Sequence, residues 1–263
     1  MPENILEKII QKKIEKIENL KKATTLESLN ELIVKNNTFL NFKDKIQNNL
    51  DNQKFSIIAE MKKASPSAGV IIKDYNPVEI AKIYDSNKVT CLSVLTEEDF
   101  FLGSLIHMSK IKEKINLPIL CKDFFIDKFQ VALAKSFGAD AILIILAGVS
   151  ESLANELYEE ALKLDMSVIV EVHTVEEAKK ALKFDEALIG INNRNLKTLE
   201  TNIGTTYDIH EVLINHKGPL ISESGIKTKN ELLELSKKTT IKTFLIGESL
   251  LKNLDNNSIF SVL

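Results

Sequence analysis

Glu60 and Lys62 stand one residue apart at the end of an apolar run, Ile57-Ile58-Ala59. Side chains alternate between the two faces of a strand, so this carboxylate and this ammonium share a face. Ser65, Pro66, Ser67 and Gly69 then break the strand. An opposite-charged pair is left at its carboxyl end, with a hydroxyl- and glycine-bearing loop behind it. In a parallel α/β protein that end is where chemistry is done. A lone charged pair is commonly only a solvated face; what makes this one a candidate is that the pattern recurs.

Further along, apolar runs lead into Thr96-Glu97-Glu98, Lys122-Asp123, Glu171, Asn192-Asn193-Arg194, Ser222-Glu223-Ser224-Gly225 and Gly247-Glu248-Ser249. Core packing favours Val or Ile at such places, because a buried lysine or glutamate is costly unless paired or neutralised. Lysines and glutamates gathered at one mouth suit general acid–base work, and their crowding couples their protonation. Two segments, SESGIKT (222–228) and IGES (246–249), place a glycine before a helix. Free backbone N–H groups and the helix dipole attract an anion there, so both read as phosphate loops.

Other chemistries find less support. His107, His173, His210, His216 and the two cysteines lack metal-ligand spacing, and no metal is expected. His173 follows Glu171 by two residues and reads as the opening of a helix. Ser65, Ser67, Ser222 and Ser224 have no His–Asp relay that would make a hydrolase triad. Phe100, Phe101, Phe124 and Phe125 flank the second and third strand ends and are placed to wall an apolar pocket.

The elements that must position these residues are legible as periodicity. Strands are expected at 55–60, 90–95, 118–122, 141–145, 167–171, 187–191, 219–222 and 243–247. Amphipathic helices are expected at about 77–87, 102–115, 127–137, 150–164, 174–184, 202–215, 228–237 and 248–253. Near-continuous apolar strands alternating with helices imply a parallel sheet covered on both faces. Eight such units between 55 and 263, with no GxGxxG or GxxxxGK motif, favour a single closed (β/α)8 TIM barrel over an open doubly wound sheet. Residues 1–54 read as an N-terminal helical extension packed on that barrel. Ile5, Leu6, Ile9, Ile10, Ile14, Ile17 and Leu20 recur at helical spacing, a second helical stretch covers about 26–42, and Asn48, Asn49, Asp51 and Asn52 form a polar linker.

Composition agrees with this class. The 263 residues are 44% hydrophobic and 27% charged, with a net charge of −3, which argues against a nucleic-acid-binding surface. No apolar run is long enough to span a bilayer, and the acidic N-terminus is unlike a transit peptide. Cys91 and Cys121 lie in apolar runs and read as buried reduced thiols, so a cytoplasmic protein is expected.

Over essentially its whole length the chain resembles the indole-3-glycerol-phosphate synthase family of tryptophan biosynthesis. The segments that carry the resemblance are IIAEMKKASPSAGVI (57–71), LSVLTEEDFFLGS (92–104), LCKDFFID (120–127), VIVEVHT (168–174), GINNRNL (190–196), ISESGI (221–226) and FLIGESLL (244–251). The resemblance implies a barrel enzyme without cofactor, acting alone or as a weak homo-oligomer on a phosphorylated small molecule. Lys122 corresponds to the general acid of ring closure and Glu171 to the acid–base group of a later dehydration. Glu60, Lys62 and Asn192 complete the catalytic group. Arg194, Glu223, Ser224, Phe101 and Phe124 fall where substrate is held, and Ser65, Gly225, Gly247 and Glu248 where phosphate is bound. Ring closure develops negative charge on a carbonyl oxygen that an ammonium protonates, and the substrate's carboxylate and phosphate call for Lys62, Lys122 and Arg194. A sister barrel, phosphoribosylanthranilate isomerase, uses a thiol and a carboxylic acid on early strand ends. Here Cys121 is expected to point away from the barrel interior if Lys122 points in. The chain departs from the family in having no Trp, so any contact that an N-terminal aromatic makes in the family is missing here or made by another residue. It also carries Glu248 where some relatives have a small hydroxyl residue.

Overall fold

The computed structural model describes residues 5–35, 38–254 and 256–263. Eight strands, β1 (Ser56–Met61), β2 (Cys91–Leu95), β3 (Ile119–Lys122), β4 (Ala141–Ile145), β5 (Ser167–Val172), β6 (Leu188–Asn192), β7 (Leu220–Glu223) and β8 (Thr243–Ile246), run parallel and close into a barrel, with β1 paired to both β2 and β8. Around them stand α4 (Pro77–Ser86), α5 (Leu105–Lys112), α6 (Phe129–Ser136), α7 (Glu151–Lys163), α8 (Val175–Ala181), α9 (Gly204–Leu213), α10 (Lys229–Lys238) and the short α11 (Glu248–Leu251). The (β/α)8 barrel read from the sequence is the observed fold. Each strand lies within about a residue of its expected place, because a strand buried on both faces is an uninterrupted apolar run and its ends are abrupt.

The two faces of the strands pack into separate layers. Ile58, Cys91, Leu120, Leu143, Ile169, Leu188, Ile221 and Leu245 point into the barrel. Their neighbours Ile57, Ala59, Val94, Cys121, Ile142 and Val168 point outward against the helices. Both cysteines are buried and free, on opposite sides of the sheet. Cys121 therefore does point away from the interior, as expected.

Three helices precede β1: α1 (Ile5–Ala23), α2 (Leu26–Lys35) and α3 (Phe42–Asp51). The polar linker expected at 48–52 is instead the second half of α3. Asn41 caps this helix by accepting the Asp44 N–H, and Phe42 and Ile46, one turn apart and fully buried, join the barrel's inner layer. Asn49 then donates to Ser56 Oγ at 3.0 Å and Thr90 Oγ1 at 3.2 Å, so a residue that read as solvated holds the base of β1. Ile17 of α1 and Leu29 of α2 pack on Phe129, Ala132 and Leu133 of α6. The loop after β1 is also more ordered than its composition suggests. Ala64–Ser65 and Gly69–Val70 form a small antiparallel hairpin, with Gly69 in the left-handed region that a turn requires.

Candidate active site

Strand parity assembles the site. Glu60 lies two residues beyond Ile58, Lys122 beyond Leu120, Glu171 beyond Ile169 and Glu223 beyond Ile221, and all four of those apolar residues face inward. Each charged side chain therefore also faces the barrel axis, one layer nearer the carboxyl end. The register keeps them level, with Glu171 opposite Gly190 and Asn192 opposite Glu223.

Lys122 is the hub. Its Nζ lies 2.8 Å from Glu223 Oε2, 3.5 Å from Glu171 Oε2 and 3.9 Å from Glu60 Oε2. Lys62 pairs with the other oxygen of Glu60. Asn192 donates to Glu171 Oε1 at 3.1 Å, and its own oxygen accepts the Arg194 N–H at 3.0 Å. Burial works against the Lys122 ammonium, but the three carboxylates outweigh it and raise its pKa. Burial likewise opposes charge on Glu171, and Lys122, His173 and Asn192 overcome it, so this carboxyl is held well below the usual range. Glu223 goes the other way: burial and the neighbouring charge of Glu171 push it up, against the pull of Lys122. Glu60 is lowered by Lys62 and Lys122 against its burial. Two glycines make room for these carboxyls. A Cβ at Gly190 would collide with Glu223 Oε1, and one at Gly247 with Glu60 Oε1.

Above the cluster opens a cavity of about 990 Å³. One part of its wall is apolar, formed by Phe101, Phe124, Leu196 and, from α1, Ile5, Leu6 and Ile9. The rings of Phe101 and Phe124 lie 6.3 Å apart. Another part carries Lys62, Ser65, Arg194, Ser224, Gly225, Gly247 and Glu248. Ser224 and Gly225 are both left-handed, at φ 65° and 83°, in a turn of the kind that aims successive N–H groups at an anion. Asn193 braces this turn, donating to the carbonyls of Glu223 at 3.0 Å and Ser224 at 3.1 Å. The arrangement can bind an anion beside an apolar ring and pass protons between them.

A model of the indole-3-glycerol phosphate synthase family matches residues 6–262. The chain belongs to the indole-3-glycerol phosphate synthase family. It is 42% identical over 266 residues to the indole-3-glycerol phosphate synthase of Prochlorococcus marinus (strain MIT 9301), covering 99% of this chain and 89% of that one. It is 40% identical over 248 residues to that of Alkaliphilus metalliredigens (strain QYMF), covering 94% and 93%. A tryptophan biosynthesis protein TrpCF from Buchnera aphidicola is 40% identical over 266 residues, and this chain, 98% covered, spans 55% of its length. Among solved structures, a 3-hexulose-6-phosphate synthase aligns with TM-score 0.62 at 11% identity, over 79% of this chain and 97% of that one. The α subunit of tryptophan synthase from Legionella pneumophila str. Paris gives 0.60 at 12%, over 81% and 88%. These two likenesses show the shared barrel. Membership of the synthase family makes the chain a decarboxylating lyase of tryptophan biosynthesis.

Set against the family blocks, every site residue named from the sequence lines this one cavity: Glu60, Lys62, Ser65, Phe101, Lys122, Phe124, Glu171, Asn192, Arg194, Glu223, Ser224, Gly225, Gly247 and Glu248. Of the other strand-end residues, Asp123 and Ser249 also line it, whereas Thr96, Glu97 and Glu98 do not. Glu97 is spent on its own loop, accepting the N–H groups of Asp99, Phe100 and Phe101. Glu98 pairs with Lys16 of α1 at 2.7 Å. Phe125 is buried in the outer layer and Phe100 lies under the Lys12 ammonium. Gly225 does not directly precede a helix. Thr228 is the N-cap of α10 and forms a capping box with Glu231. Glu248 is turned toward Lys252, at 2.6 Å. The sequence reading missed the part of α1 in the wall. Its apolar stripe was visible in the sequence, but not that Ile5, Leu6 and Ile9 would reach the cavity.

Proposed function

We propose that this chain closes 1-(2-carboxyphenylamino)-1-deoxyribulose 5-phosphate to indole-3-glycerol phosphate, releasing CO2 and water, with Lys122 as the acid of ring closure and Glu171 as the acid–base group of dehydration. The observation that carries this reading is the Lys122 ammonium within 4 Å of three carboxylates, Glu60, Glu171 and Glu223, on the floor of one cavity.

As the aromatic carbon attacks the ketose carbonyl, negative charge grows on the carbonyl oxygen, and Lys122 stabilises and protonates it. An ammonium held by three carboxylates is a reluctant acid. Glu223 eases the transfer because burial and the charge of Glu171 favour its neutral form. Loss of CO2 restores the aromatic ring. Glu171, ionised when the cycle begins, then takes a proton from the five-membered ring as an ammonium returns one to the departing hydroxyl. Lys62 and Lys122 are both within reach of that role. The anthranilate ring fits the apolar wall of Phe101, Phe124 and Leu196. The phosphate fits the loops at Ser65, Ser224-Gly225 and Gly247-Glu248, with Arg194 and Lys62 answering the anionic groups. A cytoplasmic setting suits the two free buried cysteines.

The direct test is to add the carboxyphenylamino ketose phosphate to purified protein without cofactor and follow indole fluorescence. The chain has no Trp, so its own background is low. Product at a catalytic rate is expected, and none from folded protein would overturn the reading.

A further inference from the structure

Two residues past Glu171, just beyond the end of β5, stands a side chain that the chemistry above does not use. His173 Nε2 lies 3.2 Å from Glu171 Oε1, in a charge contact that falls short of hydrogen-bond alignment. On the other side of the ring, Nδ1 lies 3.3 Å from Glu177 Oε2, the oxygen that also accepts the His173 backbone N–H at 2.7 Å. Glu177 is itself fixed. It sits in the first turn of α8, where the Thr174 cap accepts its N–H at 3.2 Å. The imidazole is thus clamped between a fully buried carboxylate and an outer one whose side chain is 19% exposed.

The charges of the cluster show why a cation belongs there. Three buried carboxylates, Glu60, Glu171 and Glu223, face two ammonium groups. Lys62 is committed to Glu60, and Lys122 sits closer to Glu223 than to Glu171. Lys122 reaches Glu171 only at Oε2, so the cation beside Oε1 is supplied by His173. The two oxygens of Glu171 are also unlike. Oε1 takes Asn192 and His173, whereas among the described residues Oε2 meets only the distant Lys122 at 3.5 Å.

We infer that His173 is a positioning residue for the proposed reaction: as an imidazolium clamped by Glu177 it fixes Glu171 Oε1, keeps that carboxyl ionised, and leaves Oε2 free to exchange protons with substrate. The charged groups facing the ring are Glu171 on β5 and Glu177 on α8, while Lys122 on β3 reaches the same Glu171 carboxylate from across the barrel. Burial disfavours charge on the imidazole, but the two carboxylates outweigh it and raise its pKa to about 9. The inference rests on the reaction reading above, so its test has one arm that needs no turnover.

In that arm, 15N-imidazole NMR follows the histidines of the free enzyme with pH. His173 is expected to titrate near 9 and to fall toward the ordinary value in E177Q. Titration of His173 at or below the ordinary value in the wild type overturns the clamp, whether or not the protein makes indole. In the second arm, pH–rate profiles are compared for the wild type, H173Q and E177Q. Loss of the imidazolium raises the Glu171 pKa, so the acid limb of kcat/KM moves up by about one to three pH units in H173Q. KM at neutral pH stays near that of the wild type. An unmoved limb in folded H173Q overturns the inference, even if thermal stability falls, because that is the mark of a merely structural side chain. If H173Q does not fold, E177Q decides: it is expected to lose rate as His173 deprotonates at lower pH than in the wild type, and a wild-type profile overturns the proposal. A wild type that forms no indole sinks the reaction reading alone, and the NMR arm still judges the clamp.

Discussion

Gly190 on β6 and Glu223 on β7 share one volume: the space that a side chain at 190 would fill is occupied by the Glu223 carboxyl. Glu223 Oε2 accepts from Lys122 at 2.8 Å, while Oε1 is buried without a hydrogen-bond partner among the described residues. An orphaned buried oxygen is costly to keep. It is consistent with a carboxyl that burial drives toward its neutral form and that serves Lys122 rather than stability.

Replacing Gly190 by alanine should therefore damage the site more than the fold. Overpacking of this kind costs about 1–3 kcal/mol, which for a barrel of this size lowers Tm by a few degrees. The displaced Glu223 leaves Lys122 misplaced, and kcat is expected to fall by more than about tenfold, a difference of ~1.4 kcal/mol in the barrier. Paired Tm and turnover measurements decide this. Wild-type kcat in folded G190A would show that Glu223 has no need to stand where it does.

Lys122→Ala removes a proton donor that acts mainly in the transition state. Turnover is expected to drop by about 10²–10⁴, with substrate affinity in calorimetry changed only slightly. Turnover close to that of the wild type would take Lys122 out of the acid role.

Glu171→Gln keeps the shape and the hydrogen bond from Asn192 but cannot take a proton. In rapid-quench single turnovers, ring closure should proceed while a decarboxylated, still hydroxylated intermediate accumulates. Formation of indole in one phase at the wild-type rate would count against a role in dehydration.

Much of this was legible in the chain before its structure. Each barrel strand is an uninterrupted buried run, so its ends could be read, and alternation from those ends places Lys122 inside and Cys121 outside. The rest depends on contacts that leave no local signature. Helix α3 is polar over most of its surface, and its apolar anchors are few: Phe42 and Ile46, fully buried, with Leu50 partly buried beside them. The hairpin after β1 has strands of two residues, too short for any period. Glu97 has the composition of a mouth residue, yet its carboxylate is consumed by three backbone N–H groups of its own loop. His173 read as the start of a helix because its clamp, Glu177, comes from the following element. Gly190 gave no sign, since its contribution is the side chain it lacks.

The pair of Glu171 and His173 should also be visible in stability against pH. The His173 pKa is raised from 6.5 to about 9 in the folded protein. Its contribution is thus fully present below about 6.5 and is lost as pH rises through about 9. Glu171 is lowered, so its share is present above the unfolded carboxylate range and is lost in acid. Urea unfolding should accordingly show H173Q less stable than the wild type at neutral pH, with the gap closing toward pH 10. A gap independent of pH would mean that packing, not charge, is what the imidazole supplies.

The buried pair of Lys13 and Asp123 ties α1 to the strand that carries the proposed acid. Their atoms are 2.6 Å apart, with side chains only 8% and 10% exposed. Asp123 also accepts the Thr96 hydroxyl and the Phe124 N–H, each at 2.7 Å, so it sits between Lys122 and the aromatic wall. Lys13→Met leaves that carboxylate buried without its cation, which costs about 3–5 kcal/mol. It also loosens the helix whose Leu6 and Ile9 line the cavity, so KM should rise together with the loss of stability. Asp123→Asn on the same background removes the orphaned charge, and the double variant should recover part of the stability but not the KM. Equal stability of K13M and the double variant would show that Lys13 holds α1 by its aliphatic stem rather than by its charge.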